Sequence, residues 1–539
     1  MLGFLVASSL ASAASAMLAP PARSVVIGGG PSGLLTAISL RRRGFANVEV
    51  LDRLPPPPQL DDEAAWDDTA RFYLIGLNGR GERALKRLGV WAAVVPLMAP
   101  VRGRQDWAPG AGADGGILTL RGDRPPTNVI ARDRLVACLL GEALACGVTV
   151  THDVDVEGVR WEDDAAGNVV LRVRDAAGER DVVTPFLVGC DGAKRTVGDA
   201  MEADAKLRPG GGWFGRRRFK IVKYPDTSVR VYKTVPFRPP PGWRGDINYS
   251  ARTSAANFDA LPALNGDYCG VMLIKPDDAL SLGLPNLQAA RAYFDANLPA
   301  FSPWISDASL EAVVKKPPSR LPVFRYAGPD LHRGGNTVLL GDAIHSVKPY
   351  FGLGANSAFE DLDVLDEALD SAATLGQALE AYSLKRAPEA RVLVQISRSF
   401  DYAGLRGFMT FIFPLIIDGI FHGKVSSKIF APNMLALLQN PTLSFSQVLR
   451  RKRIDRVLQG ATVAAACAVA FSALKAAALA GVRTLAAVDA RYRAAVSLGL
   501  AVAAAAAVRA ATSKGAPLKG DVADVLATQT SPDKARPSY

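Results

Sequence analysis

The chain has 539 residues, 49% of them hydrophobic, which allows about three domains with large buried cores. Its 63 basic and 52 acidic residues leave a formal charge of +11, yet the basic residues are dispersed and no nucleic-acid module accompanies them. That sets nucleic acid aside and suits a carboxylate- or phosphate-bearing small molecule, or an anionic membrane. Five cysteines, an odd number without C-x-x-C spacing, argue against a disulfide framework and a metal site.

Residues 1–22 read as a leader and candidate targeting segment, apolar and rich in Ala-Ser repeats but without a basic start. A disordered leader or a two-part organelle address fits the same residues. Residues 24–27 are a β-branched run, read as a buried parallel strand. They run into Gly28-Gly29-Gly30-Pro31-Ser32-Gly33. Gly28 permits a tight turn, Gly30 lets backbone approach a pyrophosphate, and Gly33 lets the next helix pack on the strand. That helix buries Leu34, Ala37, Ile38 and Leu40, points its N-terminus at phosphate, and ends at Gly44. Residues 48–51 read as the second strand. Asp52 ends it, with Arg53 beside it, about 20 residues past the glycines, where an acid bonds ribose hydroxyls. Residues 54–70, Pro-rich and then acidic, read as a surface loop.

Between residues 200 and 330, short aromatic and β-branched runs punctuated by Pro and Gly read as a mixed or antiparallel sheet. Residues 336–340 read as another buried strand, ended by Gly341-Asp342. A Gly- and Pro-rich loop through Pro349-Tyr350-Phe351-Gly352 leads to a helix near Asn356, with Glu360, Asp361 and Asp363 in its first turns. The two glycine segments together specify FAD held by both ends, and so flavin redox chemistry. Residues 408–421 are strongly apolar but interrupted by Pro414 and Asp418. Arg450-Arg451-Lys452-Arg453 and Arg456 follow, then alanine-rich stretches at 461–482, broken by Lys475, and at 494–508. A basic cluster before an apolar run is the arrangement of a tail anchor. Alanine is a weak membrane residue, so two packed helices explain the same pattern.

The motifs resemble those of the flavoprotein monooxygenases that hydroxylate aromatic compounds, above all the kynurenine monooxygenase branch. Gly341-Asp342-Ala343-Ile344-His345 and Gly352-Leu353-Gly354-Ala355-Asn356, with Glu360-Asp361, follow one family pattern. Phe186-Leu187-Val188-Gly189-Cys190-Asp191-Gly192, Ile130-Ala131-Arg132-Asp133-Arg134-Leu135 and residues 71–90 follow three others. The resemblance implies that Asp342 bonds the ribityl and pyrophosphate part of FAD. It brings Arg132 to the phosphates and Val154 to the adenine. Gly354, Ala355 and Asn356 would present backbone N–H groups to the flavin's pyrimidine edge, where a helix N-terminus stabilises reduced flavin. Pro100-Val101-Arg102-Gly103-Arg104 resembles the run whose last arginine holds the substrate carboxylate, so Arg104 would be a bidentate clamp. Asp401 and Tyr402 fall where the family meets the substrate's amino acid part. Four departures stand out: Arg195 and Gly198 replace the Ser and Arg after Asp191-Gly192, Leu353 replaces a glutamine, Leu120 lies where a tyrosine is expected, and Asp401 replaces an asparagine. His345 is read as structural, bonded within its loop.

The expected fold is α/β. A Rossmann-like FAD-binding domain with a doubly wound parallel sheet comes from residues 23–100, 128–200 and 330–395. A substrate sheet domain (101–127 and 201–329) is inserted. A helical pocket-closing region (396–458) and an Ala-rich tail (459–539) follow. The reaction implied is NAD(P)H-dependent hydroxylation of a small aromatic substrate by O2, through a flavin C4a-hydroperoxide. Epoxidation or halogenation on the same fold, a flavin reductase, and a non-catalytic nucleotide-binding scaffold remain alternatives. The expected location is an organellar membrane or endomembrane, with the catalytic body in a reducing compartment.

Overall fold

The computed structural model describes residues 18–67, 73–122, 125–162, 167–207, 219–226, 229–349, 352–402 and 404–487. Residues 1–17, Arg71, Tyr350, Phe351 and the second alanine-rich stretch lie outside them. The chain divides into two compact units, Met1–Trp107 with Gly112–Arg398, and Ala108–Ala111 with Ser399–Tyr539.

The first unit is built on a six-stranded sheet. Its order is His332–Arg333, Thr337–Leu339, Phe186–Gly189, Ser24–Ile27, Val48–Leu51 and Thr149–Thr151. All pairs are parallel except the His332–Arg333 edge. Ser24–Ile27 and Phe186–Gly189 are buried throughout, and their core is shared by helix Pro31–Arg42 and by Val169, Leu171, Val173 and Val182 of a three-stranded antiparallel sheet. Three strands from distant parts of the chain thus end side by side. Cys190 N–H bonds the Ile27 carbonyl at 2.8 Å, and Leu340 N–H bonds the Gly189 carbonyl at 3.0 Å. Ligands of open α/β sheets bind beyond such carboxyl ends.

A seven-stranded sheet accompanies it, in the order Ser319–Arg320, Val231–Phe237, Tyr268–Ile274, Ala256–Pro262, Ile247–Arg252, Gly103–Trp107 and Ile117–Leu120. It is mixed: only Ile247–Arg252 beside Gly103–Trp107 is parallel. Strand alternation sends Phe237, Phe258 and Trp107 to one face, where all three pack on Phe301. The opposite face carries Cys269, which clusters with Leu74, Val101 and Val129 of a small antiparallel sheet (Leu74–Leu77, Thr127–Ala131 and Ala99–Val101).

In the second unit the apolar stretch forms consecutive helical turns over Gly404–Val425, and a long helix spans Phe445–Ala487. This helix begins well before residue 461. The basic cluster lies inside it, held by ion pairs. Lys452 Nζ meets Asp418 Oδ1 at 3.0 Å and Asp455 Oδ2 at 2.7 Å, and Arg456 Nη1 meets Asp418 Oδ1 at 2.9 Å. Asp418, which interrupts the apolar stretch, is therefore the buried partner of the cluster. Arg450 and Arg453 stay exposed.

Candidate active site

The first glycine segment forms the strand–turn–helix read from the sequence. Gly28 sits at φ +105, and a Cβ there would strike the Cys190 carbonyl. A Cβ on Gly33 would strike the Gly28 carbonyl oxygen, so only glycine lets helix Pro31–Arg42 start this close to the strand. Asp52 accepts from Gly29 N–H at 2.6 Å and from Leu54 N–H at 2.9 Å, which fixes the turn from the second strand. Arg53 is exposed. Val154 is buried, its N–H bonded to the Asp52 carbonyl at 2.9 Å. Arg132, at the start of helix Arg132–Ala145, reaches the turn: a Cβ on Gly30 would lie 3.6 Å from Arg132 Nη2.

The second segment meets the first directly. A Cβ on Gly341 would lie 2.9 Å from Ser32 Oγ. Asp342 is open to solvent, yet enough protein surrounds it that lost hydration holds its pKa above the usual carboxylate value, against the pull of His345, Arg195 and Arg132. Helix Leu353–Ser371 starts at Gly352, with φ +65, and leaves the N–H groups of its first turn, those of Gly354 and Ala355 among them, without intrahelical partners, whereas the Asn356 N–H is the first to bond back into the helix. The Asn356 side chain is buried and fully occupied. Its Oδ1 accepts from Asn78 N–H at 2.9 Å and Gly81 N–H at 3.2 Å, and its Nδ2 donates to the carbonyls of Gly76 (2.9 Å) and Gly352 (2.6 Å). None of its side-chain hydrogen-bonding capacity is left for a ligand.

Two features differ from the sequence reading or escaped it. His345 is fully buried, but it bonds Asp361 of the helix at 2.9 Å rather than its own loop. Asp361, five residues past Asn356 on the same helix, supplies the acceptor. Despite burial, which pushes the Asp361 carboxyl upward, His345 and Arg386 hold it below its ordinary pKa. Arg195, seen in the sequence only as a departure, is a buried clamp at φ +59. It donates to the carbonyls of Ala343 (2.9 Å) and Asp342 (2.7 Å) and to Ser346 Oγ (2.8 Å). Burial lowers its pKa to about 10, so it stays charged at neutral pH. A basic residue just after Asp-Gly was the one available signal, and its targets lie about 150 positions away.

Arg195→Ala should weaken FAD binding by about tenfold to a hundredfold, since each charged hydrogen bond contributes about 1.5–3 kcal/mol. Arg195→Lys should recover part of it, read by flavin-fluorescence titration. Asp191, which accepts from Val197 N–H at 3.0 Å, is raised by burial to about 6. The folded state thus takes up a proton that the unfolded chain takes only near pH 4, and this site favours folding more as pH falls through 6 toward 4. Asp191→Asn should melt higher than the parent at pH 7, and the difference should close by pH 4.

Arg104 lies on the sheet face that carries Cys269, half exposed and paired with Asp106 through Nε at 2.9 Å. Asp401 and Tyr402 fall in the second unit, where Asp401 is buried and the Arg406 guanidinium stacks 3.8 Å from the Tyr402 ring. Tyr73 directly precedes strand Leu74–Leu77, and its carbonyl accepts from Arg132 N–H at 2.9 Å. Lost hydration raises the Tyr73 pKa, and the neighbouring Tyr232, Cys269 and Asp342 raise it further.

A glycine turn with no room for a Cβ at Gly28, Gly29 or Gly33, a cation over it, and an open acid beside a helix N-terminus fit the phosphates, ribityl chain and ring of FAD. The FAD binding domain family matches residues 22–210 and 324–397. Kynurenine 3-monooxygenase of Salinispora tropica is 28% identical over 468 residues, covering 81% of this chain and 93% of that protein. Violacein synthase of Chromobacterium violaceum is 26% identical over 376 residues, covering 65% of this chain and 77% of that protein. The crystal structure of p-nitrophenol 4-monooxygenase PnpA from Pseudomonas putida DLL-E4 shares the fold, with a TM-score of 0.53 at 18% identity, covering 81% of this chain and 99% of that one. Fold and cradle define a flavoprotein. The chain is an FAD-dependent monooxygenase, and it is similar to aromatic hydroxylases, kynurenine 3-monooxygenases among them.

Proposed function

We propose that this flavoenzyme hydroxylates a kynurenine-like aromatic ring lying against the Tyr232 and Cys269 face of the seven-stranded sheet, and that Arg104 aligns the ring's substituents. The observation carrying this reading is strand Leu74–Leu77, whose Leu74 packs with Cys269 of the seven-stranded sheet and whose Gly76 carbonyl accepts from Asn356 Nδ2 at 2.9 Å, at the start of the second segment's helix. The identity to kynurenine 3-monooxygenase supports the substrate class. When bound, FAD accepts reducing equivalents from NAD(P)H and activates O2.

In this reading the chain supplies position, charge and dryness. Gly28 to Gly33, Asp52 and Arg132 hold the nucleotide end. Asp342, kept in place by Arg195, holds the ribityl end. The N-terminus of Leu353–Ser371 offers positive potential to negative charge that develops on the ring. The apolar Leu74, Val101 and Val129 cluster excludes water beside the substrate face. The test is 18O2 turnover with NADPH across aromatic amines and kynurenine-like compounds. A product carrying one 18O atom is expected, and NADPH oxidation with only peroxide formed would contradict the hydroxylase reading.

We further propose that the second unit attaches the enzyme to an organellar or endomembrane surface. Two of its helical stretches, Gly404–Val425 and Phe445–Ala480, are long and apolar enough to cross a bilayer, and every residue from 460 to 480 is exposed. Carbonate should leave the full chain in the membrane pellet, while a chain ending at residue 459 should be released more readily. Complete release of the full chain by salt alone would refute an integral anchor.

A further inference from the structure

Resting on the reading that the substrate lies along this sheet face, we infer that the site selects aromatic substrates that carry hydrogen-bond donors and lack a free carboxylate, because Asp106 already neutralises Arg104. Cross-strand register places the groups together. Asn248 stands opposite Arg104, and Ser250 opposite Asp106. Ser250 in turn pairs with Asp259, Asp259 with Val271, and Val271 with Thr234. Paired positions share a face, so this row lies on the side of the sheet that also presents Cys269 and Tyr232.

The charges on that side close on themselves. Arg104 Nε donates to Asp106 Oδ1 at 2.9 Å, its Nη2 reaches the same oxygen and Ser250 Oγ at 3.2 Å, and the Ser250 hydroxyl donates to Asp106 as well. Arg252 pairs with Asp259 at 2.9 Å. These four are the charged side chains of the Gly103–Trp107, Ile247–Arg252, Ala256–Pro262 and Tyr268–Ile274 strands on this face, and they cancel. A carboxylate arriving at Arg104 therefore meets a paired guanidinium, while Lys316, which donates to Thr234 Oγ1 at 3.4 Å, stands four strands away. To take the guanidinium it must displace Asp106 and then remain beside it, anion against anion. A donor is better served: Asn248 Oδ1, next to Arg104, is buried with no hydrogen-bond partner, an acceptor that costs free energy until an N–H or O–H reaches it. An aromatic amine, amide or phenol meets that demand, and a carboxylate does not.

The test is spectral titration of the FAD-loaded enzyme with two matched pairs, kynuramine against kynurenine and 2-aminobenzamide against 2-aminobenzoate. The carboxylate-free member of each pair should bind at least tenfold tighter. Asp106→Asn, which frees Arg104 with little change of shape, should shift each ratio toward the carboxylate by tenfold or more, with Asp106→Ser repeating the test if the first variant loses flavin. Carboxylates bound as tightly as their partners, or ratios unmoved by both variants, would overturn the inference while leaving a hydroxylase in place. Ligands that bind as expected but never acquire oxygen would instead contradict the hydroxylase reading and leave the selectivity standing.

Discussion

Gly33→Ala should yield a protein that no longer retains FAD. The added methyl lands on the Gly28 carbonyl oxygen, which is backbone and cannot rotate away. Helix Pro31–Arg42 must then move off Ser24–Ile27, and the N–H groups of its first turn move off the phosphate position with it. A displacement of this kind costs about 1–3 kcal/mol in packing alone. Loss of the helix end as an anion site comes on top, so FAD affinity should fall by about a hundredfold or more. Equilibrium dialysis of refolded protein against FAD reads this directly. Gly44→Ala is a useful contrast, because nothing lies within 4 Å of a Cβ there. It strains the backbone at φ +87 without touching the cradle, and should lower stability with little effect on FAD affinity.

Arg386→Met should be the most destabilising substitution outside the cradle. Arg386 is buried in helix Leu375–Ser399, where its Nη1 meets Glu360 at 3.0 Å, its Nη2 donates to the Ser357 carbonyl at 2.9 Å, and its Nε pairs with Asp361. Arg80, equally buried, pairs with Glu360 from the other side. Asp361 then accepts from Gly341 N–H at 2.7 Å and from His345, so this ion network supports the loop that bears Asp342. Removing the guanidinium leaves two buried carboxylates short of charge, a change that costs about 3–5 kcal/mol. The melting temperature should fall by about 5 °C or more, measured by calorimetry with and without FAD. Excess FAD should recover part of the loss by mass action.

The parts of the site that were legible in the sequence are those where a ligand imposes a local rule. The Gly28 to Gly33 turn and the Gly341 to Asn356 stretch each combine a strand end, a close backbone approach and a helix start within a few residues, so pattern alone finds them. Arg195 could not be read in this way. Its role depends on a left-handed backbone at one residue and on carbonyls near position 343, and sequence order carries neither. Asp106 escaped for a related reason: an i, i+2 pair on one face means nothing until the strand is known to be a strand. The pairing of Lys452 could not be read from the basic cluster, because its partner Asp418 belongs to a different helix. The fold class was easier, since the fully buried parallel strands read as unbroken β-branched runs.

The central claim is a chain that holds FAD at both ends through two segments brought together at Ser32 and Gly341. The most direct measurement is the visible spectrum of the purified full-length protein, with quantitation of the flavin it releases on denaturation. About one FAD per chain is expected, with Gly33→Ala purifying colourless and Arg195→Ala retaining less than the parent. A parent protein that is colourless and stays so when FAD is added would contradict the account.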